Sequence, residues 1–265
     1  MTTLDYNSNP TAIDGILQQV TEIIPDNFPE TADIETSSDD YARRFAGNIG
    51  AWFLKIQEEA TLNMLAPYPG AAVLDVGGGH GQITGPLLAK GYNVTVLGSS
   101  TSCQKRIQHF VSTRQCAFDT GNILSLPYAD GAFDVVVSYR LLPHVTRWQP
   151  YLAELTRVAR QAVIVDFPTT QSVNYIAPFL FRFKKRVEQN TRPYTCFHEA
   201  DLLQFFRSLG FTYGARYAQY FLPMVFYRMM KSPGVATAVE HLFRQVGLTS
   251  LFGSPIILKV IREGE

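Results

Sequence analysis

The chain has 265 residues, 46% of them hydrophobic, and its 23 basic and 23 acidic side chains leave no formal net charge. Such a length and apolar content support one large α/β core with a cap, with no need for disulfide or metal staples. The charge balance provides no global field to recruit nucleic acid and points to small-molecule partners.

The N-terminus, Met1 to Pro10, is polar and lacks the charged-then-apolar order of a signal peptide, and no apolar run reaches spanning length. Cys103, Cys116 and Cys196 form no CxxC pair and have no histidine at ligand spacing. These features predict a cytoplasmic protein in a reducing compartment, without metal and without stable membrane insertion. Oligomeric state is not readable.

Ala12 to Ile24 is amphipathic, is cut off by Pro25 and Pro29, and leads into the acidic, serine-rich Glu35 to Asp40. It reads as an arm outside the core. Ser37-Ser-Asp-Asp40 is a helix start, and Tyr41, Phe45, Ile49, Trp52, Phe53, Ile56 and Leu62 recur at helical spacing, predicting one cap helix over about 39–66. Arm and cap make up 1–66, and the core 67–265.

From Gly70, short β-branched runs alternate with helical stretches, the pattern of a sheet wound with crossover helices. Strands are predicted at Ala72–Val76, Asn93–Leu97, Cys116–Asp119, Phe133–Tyr139, Ala162–Phe167, Phe211–Tyr220 and Pro255–Ile261. Helices are predicted at Gln82–Lys90, Thr101–Ser112, Trp148–Ala159, Val173–Gln189 and His198–Leu209. Insertions are expected at about 170–197 and 221–254, the second containing a helix over Ala236–Val246. The fold class is therefore α/β: a Rossmann-like, seven-stranded, mostly parallel sheet with helices on both faces, an N-terminal helical cap and an insertion before the last strand.

Directly after the first strand comes Asp75-Val-Gly-Gly-Gly-His-Gly81, opening into a helix. Strand, tight turn and helix make a nucleotide-type site: glycines let the backbone approach a ligand, and free N–H groups at the helix start face it. A nicotinamide fingerprint would need a third glycine where Thr84 stands. The spacing fits instead the pattern of S-adenosylmethionine enzymes. His80, inside the loop, is expected to point outward.

Downstream, Thr120-Gly-Asn-Ile-Leu-Ser-Leu-Pro-Tyr128, Asp130-Gly-Ala-Phe-Asp-Val-Val-Val-Ser-Tyr139, Leu142-Pro-His-Val145 and Leu152-Ala-Glu-Leu-Thr-Arg-Val158 follow in order. With Phe206-Arg-Ser-Leu-Gly-Phe211 they resemble the class I, small-molecule methyltransferases of the ubiquinone/menaquinone-biosynthesis type, over about 62–211. The resemblance implies S-adenosyl-L-methionine as cofactor, held by Asp75, Gly77, Gly78, Gly79, Gly81, Gly98, Ser99, Asn122, Ile123 and Tyr139. Two positions depart from the family. Gly98 replaces the acid that receives the ribose hydroxyls, and Asn122 replaces an Asp at the adenine amino group. Losing a charge-assisted hydrogen bond costs about 1.5–3 kcal/mol, with Ser99, Ser100 or a cap residue as candidate replacements. Placing Asp at 98 is expected to tighten an ordinary cofactor site.

Methyl transfer chiefly requires alignment and exclusion of water. His144, just beyond the fourth strand, is the candidate base, with helix capping as its alternative role. Tyr41, Arg44, Arg140, Arg192 and Tyr194 are the candidate substrate and lid residues, and Phe45 and Trp52 are expected over the cofactor end. Between Tyr175 and Tyr194, Phe179, Phe181 and Phe183 alternate with Arg182, Lys184, Lys185 and Arg186. That mix suits an acceptor with an apolar body and an anionic group, peripheral membrane contact, or a solvated basic helix face. With Phe221-Leu-Pro-Met-Val-Phe-Tyr227 as an apolar lid, the function read from the sequence is methyl transfer to a small apolar or aromatic acceptor. The alternatives are a catalytically degenerate ligand-binding or assembly module, motivated by Gly98, and an enzyme using the sulfonium only electrostatically.

Overall fold

A computed structural model of the protein describes residues 28–172 and 194–264. The chain enters through α1 (Ala32–Thr36), α2 (Asp39–Arg43) and α3 (Gly47–Leu65). The sheet strands are β1 (Ala72–Val76), β2 (Asn93–Gly98), β3 (Ala117–Thr120), β4 (Phe133–Ser138), β5 (Ala159–Phe167), β6 (Phe211–Ala218) and β7 (Ile256–Arg262). All seven predicted strands are present: the apolar runs of the inner strands are buried on both faces of the sheet, and β3 and β6 form its half-exposed edges.

The strand order is β3-β2-β1-β4-β5-β7-β6. Pairs from β3 to β5 are parallel, and β7 runs antiparallel to both β5 and β6. Alternate residues serve two cores. Leu74, Val76, Val136, Val163 and Leu258 pack on the face carrying α6 (Trp148–Val158) and α7 (Glu199–Ser208). Val73, Val135, Val137, Ile164 and Ile257 pack on the face with α3 and α4 (Thr84–Ala89). Sequence order reverses between β1 and β4, so their carboxyl ends open a crevice at the switch point, where open α/β sheets bind ligands.

Several expected elements are corrected. The single cap helix is broken into α2 and α3. Gly47 has φ 75°, and a Cβ on Gly50 would fall 2.0 Å from the Phe45 carbonyl oxygen, so the chain folds sharply back on α3 there. The predicted helix 101–112 begins as a 3-10 turn, Thr101–Ile107, before α5 (Gln108–Ser112). Part of the supposed arm belongs to the interior: Ala32, Asp33, Thr36 and Ser37 are buried. The amphipathic stretch 12–24 and the helix predicted over 173–189, with its phenylalanines and basic residues, lie outside the described residues.

The insertion before β7 forms α8 (Met224–Met230), α9 (Pro233–Gln245) and α10 (Leu248–Phe252). It docks on the cap: Trp52 and Phe53 of α3 pack with Tyr220, Tyr227 and Ala236, and Trp52 Nε1 donates to Thr237 Oγ1 at 2.9 Å. Trp52 therefore joins cap to insertion, away from the cofactor end expected for it. Buried Glu240 gathers Thr249 Oγ1, Phe221 N–H and the Tyr227 hydroxyl, pinning the insertion internally. No helix among the described residues is long and apolar enough to cross a membrane.

Candidate functional site

The glycine loop leaves β1 at Gly77 (φ 77°), makes a 3-10 turn over Gly78–His80 and exits at Gly81 (φ 72°). The two left-handed positions suit glycine. Gly78 and Gly79 are needed for close approach: a Cβ on Gly78 would lie 2.0 Å from Asp75 Oδ2, and one on Gly79 would lie 2.3 Å from the Cys103 carbonyl oxygen. The Asp75 carboxyl is buried with neither oxygen hydrogen-bonded, and burial pushes its pKa up to about 7. Gln82 Oε1 and Thr84 Oγ1 are likewise buried without partners. Such a concentration of unsatisfied polar atoms around one backbone cradle fits a polar ligand with several donors and acceptors, and the glycines suit the approach of the S-adenosylmethionine that the sequence implies.

His80 does not point outward. It is buried, its Nδ1 accepts from Gln82 N–H at 3.2 Å, and burial together with the Arg140 and Arg106 charges pushes its pKa down to about 3. A buried neutral imidazole therefore props the loop from inside.

At the end of β2, Gly98 has no room for a side chain: a Cβ would fall 2.8 Å from Cys103 Cβ and 3.1 Å from Phe118 Cζ. The simple gain expected from Asp at 98 meets this obstacle. A carboxylate from outside the sheet reaches the end of β2 instead. Asp33 of α1 accepts from Ser99 N–H and Ser99 Oγ, each at 2.5 Å, and from Cys103 Sγ at 3.4 Å. Sequence reading missed Asp33, although the acidic character of its surroundings was visible.

Asn122, Ile123 and Tyr139, the other predicted cofactor residues, have the following surroundings. Asn122 Oδ1 is engaged by Leu124 N–H at 2.9 Å, which closes a local turn where an adenine contact was expected. Ile123 is buried in the same apolar cluster as Ala32 of α1. Tyr139 is turned to the α3 face, its hydroxyl 2.6 Å from Thr61 Oγ1, and it packs there as core.

Beyond the ends of β4 and β5 lies a cavity of about 130 Å³. The predicted residues Tyr41, Arg140, His144 and Tyr194 line it together, with Phe45, Asp166, Phe167, Tyr220 and Met224. Arg44 is not in its lining: the guanidinium lies 4.9 Å from the centre of the Tyr41 ring and 3.9 Å from Glu35. Arg192 lies outside the described residues.

Arg140 has φ 61°, uncommon for a residue with a Cβ and the kind of backbone outlier that gathers at functional sites. Its N–H donates to Asp166 Oδ1 at 2.5 Å, its Nη2 donates to Gln57 Oε1 at 2.8 Å, and its guanidinium stacks 3.8 Å from the centre of the Phe45 ring. Nη1 is buried and unpartnered. Asp166 is buried, and desolvation outweighs the Arg140 hydrogen bond and charge, pushing its pKa up to about 6. The His144 ring stands 5.6 Å from that of Tyr194. Aromatic walls, one free guanidinium donor and a carboxyl titrating near neutrality can bind a flat apolar molecule and move a proton on it. Among the described residues, no three His, Cys, Asp or Glu side chains converge as metal ligands.

The strand order, the glycine loop at the switch point and the flanking crossover helices define the Rossmann-like fold of the class I methyltransferases. Residues 74–165 match the family model described as a methyltransferase domain. Within that class the chain resembles the ubiquinone/menaquinone-biosynthesis type. It is 37% identical over 112 residues to the ubiquinone/menaquinone biosynthesis C-methyltransferase UbiE of Roseobacter denitrificans, covering 40% of this chain and 45% of that protein, less than half its length. To the demethylmenaquinone methyltransferase of Beutenbergia cavernae it is 29% identical over 181 residues, 63% of this chain and 75% of the relative. Among solved structures, magnesium protoporphyrin IX methyltransferase from Synechocystis PCC 6803 with bound SAH superposes with TM-score 0.59 at 18% identity, covering 84% of this chain and 94% of that one. The [4+2]-cyclase SpnF shares the fold with TM-score 0.54 at 17% identity, covering 78% and 79% of the two chains.

Proposed function

We propose that the protein transfers a methyl group from S-adenosylmethionine to a small apolar or aromatic acceptor. The observation that carries this reading is continuity. The methyltransferase-domain match, residues 74–165, spans the glycine loop, Arg140 and His144 and ends beside Asp166, which supports reading the cradle and the cavity as neighbouring parts of one site. Support also comes from the S-adenosylhomocysteine bound in the Synechocystis neighbour. Asp75, Gly77 to Gly81, Ser99 and Ile123 are the residues to hold the cofactor, which supplies an electrophilic methyl when bound.

This chain's own contribution is binding, orientation and proton handling. Tyr41, Phe45, Tyr220 and Met224 offer flat apolar walls, and Arg140 Nη1 offers a donor to an acceptor oxygen. Asp166, poised near pH 6, removes the proton that the acceptor gives up on methylation, with His144 the other base in the same lining. The test is calorimetric titration with S-adenosylhomocysteine, followed by transfer of labelled methyl to a panel of lipophilic phenols and quinols. Saturable binding and a labelled lipophilic product are expected. Absence of binding at millimolar ligand would overturn the reading in favour of a non-catalytic module. Turnover of a small polar acceptor alone would overturn the acceptor class.

A further inference from the structure

Given the cofactor site proposed above, the segment that enters the crevice before the cap bears on access to that site. Asp33 and Ala32 are 0% and 3% exposed, and what buries them is the ligand crevice at the switch point. Asp33 Cβ lies 3.5 Å from the position a Cβ on Gly77 would take, and Ser37 Oγ lies 2.6 Å from that of Gly79. Ala32 packs in one cluster with Leu97 at the end of β2 and with Ile123 and Leu141, which lie in the connections after β3 and β4. Two carboxylates tie the segment across the crevice. Asp33 engages Ser99 beyond β2, and Glu30 Oε1 accepts from Thr146 N–H at 3.0 Å and Arg147 N–H at 3.1 Å beyond β4.

We propose that Glu30 to Ser37 is a built-in competitor: the segment occupies the cofactor's place in the crevice, with Asp33 on the β2 end, and the cofactor binds as the segment leaves. Its seating is incomplete in the way an exchangeable occupant requires. Both Asp75 oxygens, beside the glycine loop on which the segment packs, stay buried without partners, whereas a permanently sealed interior pairs such atoms. Helix α1 has only five residues, and the side chain of its Thr31 N-cap makes no capping bond. A short helix of this kind depends on its tertiary contacts. When the binding-competent form is a minor fraction of the population, apparent affinity falls by that fraction.

The experiment uses the full chain and S-adenosylhomocysteine as probe, with backbone amide exchange over residues 30–37 and calorimetric affinity as readouts. Variants Asp33→Ala and Ala32→Glu each weaken the seating by a different route, so that one remains if the other misfolds. The probe is expected to accelerate exchange over 30–37, and both variants to bind it about tenfold more tightly than the unchanged chain. Slower exchange with the probe, together with weaker binding by Asp33→Ala, would overturn the proposal and make Asp33 the cofactor's own anchor. Equal affinity in all three proteins would overturn it while leaving methyl transfer standing. No binding by any of the three would remove the cofactor reading and this inference with it.

Discussion

The two halves of the crevice are built on opposite terms. Around β1 and β2, backbone, α1 and the 3-10 turn after β2 are packed so closely that neither Gly79 nor Gly98 can take a methyl group without displacing a neighbour. Beyond β4 and β5, by contrast, a cavity remains, walled by aromatic rings from the cap and the strand ends and by Met224 of the late insertion. Both halves contain a buried carboxyl with a raised pKa, but Asp75 has no hydrogen-bond partner, whereas Asp166 is held by Arg140 N–H. The lesson is that the same strand-end position serves two purposes. In the tight half the carboxyl is enclosed with its oxygens unbonded, and in the open half it is held by a backbone N–H.

That contrast is broken if a change in one half is felt in the other. The largest expected effect is at Asp166: the Asn variant lowers kcat by roughly 10²–10⁴-fold and loses the acidic limb of the pH–rate profile near pH 6, while S-adenosylhomocysteine affinity is unchanged. Steady-state rates from pH 5 to 8, with parallel calorimetry, check this. Next is Arg140→Leu, which removes the unpartnered Nη1 and the Phe45 stack. The expected outcome is a KM for the acceptor raised about tenfold to a hundredfold, the cost of losing one charge-assisted bond, again without a change in cofactor affinity.

The smallest effect sharpens the other half. Burial pushes the Asp75 carboxyl up to about 7 in the folded chain, well above the ordinary carboxylate range. Its contribution to stability is therefore fully present below the unfolded value and is lost as pH rises through about 7. Asp75→Asn does not titrate, so at pH 8 the variant is expected to be more stable than the unchanged chain by on the order of 2 kcal/mol, with the gain gone at pH 4. Urea midpoints measured across that range decide it. A residual decline persists in the variant, because Asp166 titrates in the same direction.

The strands were legible because each is a short run of β-branched and aromatic residues bounded by turn formers. Gly77 and Gly81 were legible because a strand followed by clustered glycines has few other uses. The cap position of Tyr41, the strand-end positions of Arg140 and His144 and the insertion that contains Tyr194 point to the acceptor, and the fold brings all four to one cavity. Asp166 was not legible: it reads as the polar exception in an apolar strand, and its significance depends on Arg140, which arrives from another strand end. Nor was the role of Tyr139, since only the pleat decides that its side chain crosses to Thr61 on the α3 face.

What the sequence by itself determined, then, is the sheet, the crossover helices and the site of the ligand loop, since these follow from local periodicity and from the backbone freedom of glycine. What only the tertiary structure decided is who fills the crevice. In Ala-Asp-Ile-Glu-Thr, residues 32–36, no periodic pattern announces burial, and the segment becomes interior because Asp33 meets the Ser99 N–H and hydroxyl across 66 residues of chain. Long-range pairing of this kind is set by geometry between distant elements, which no local window contains.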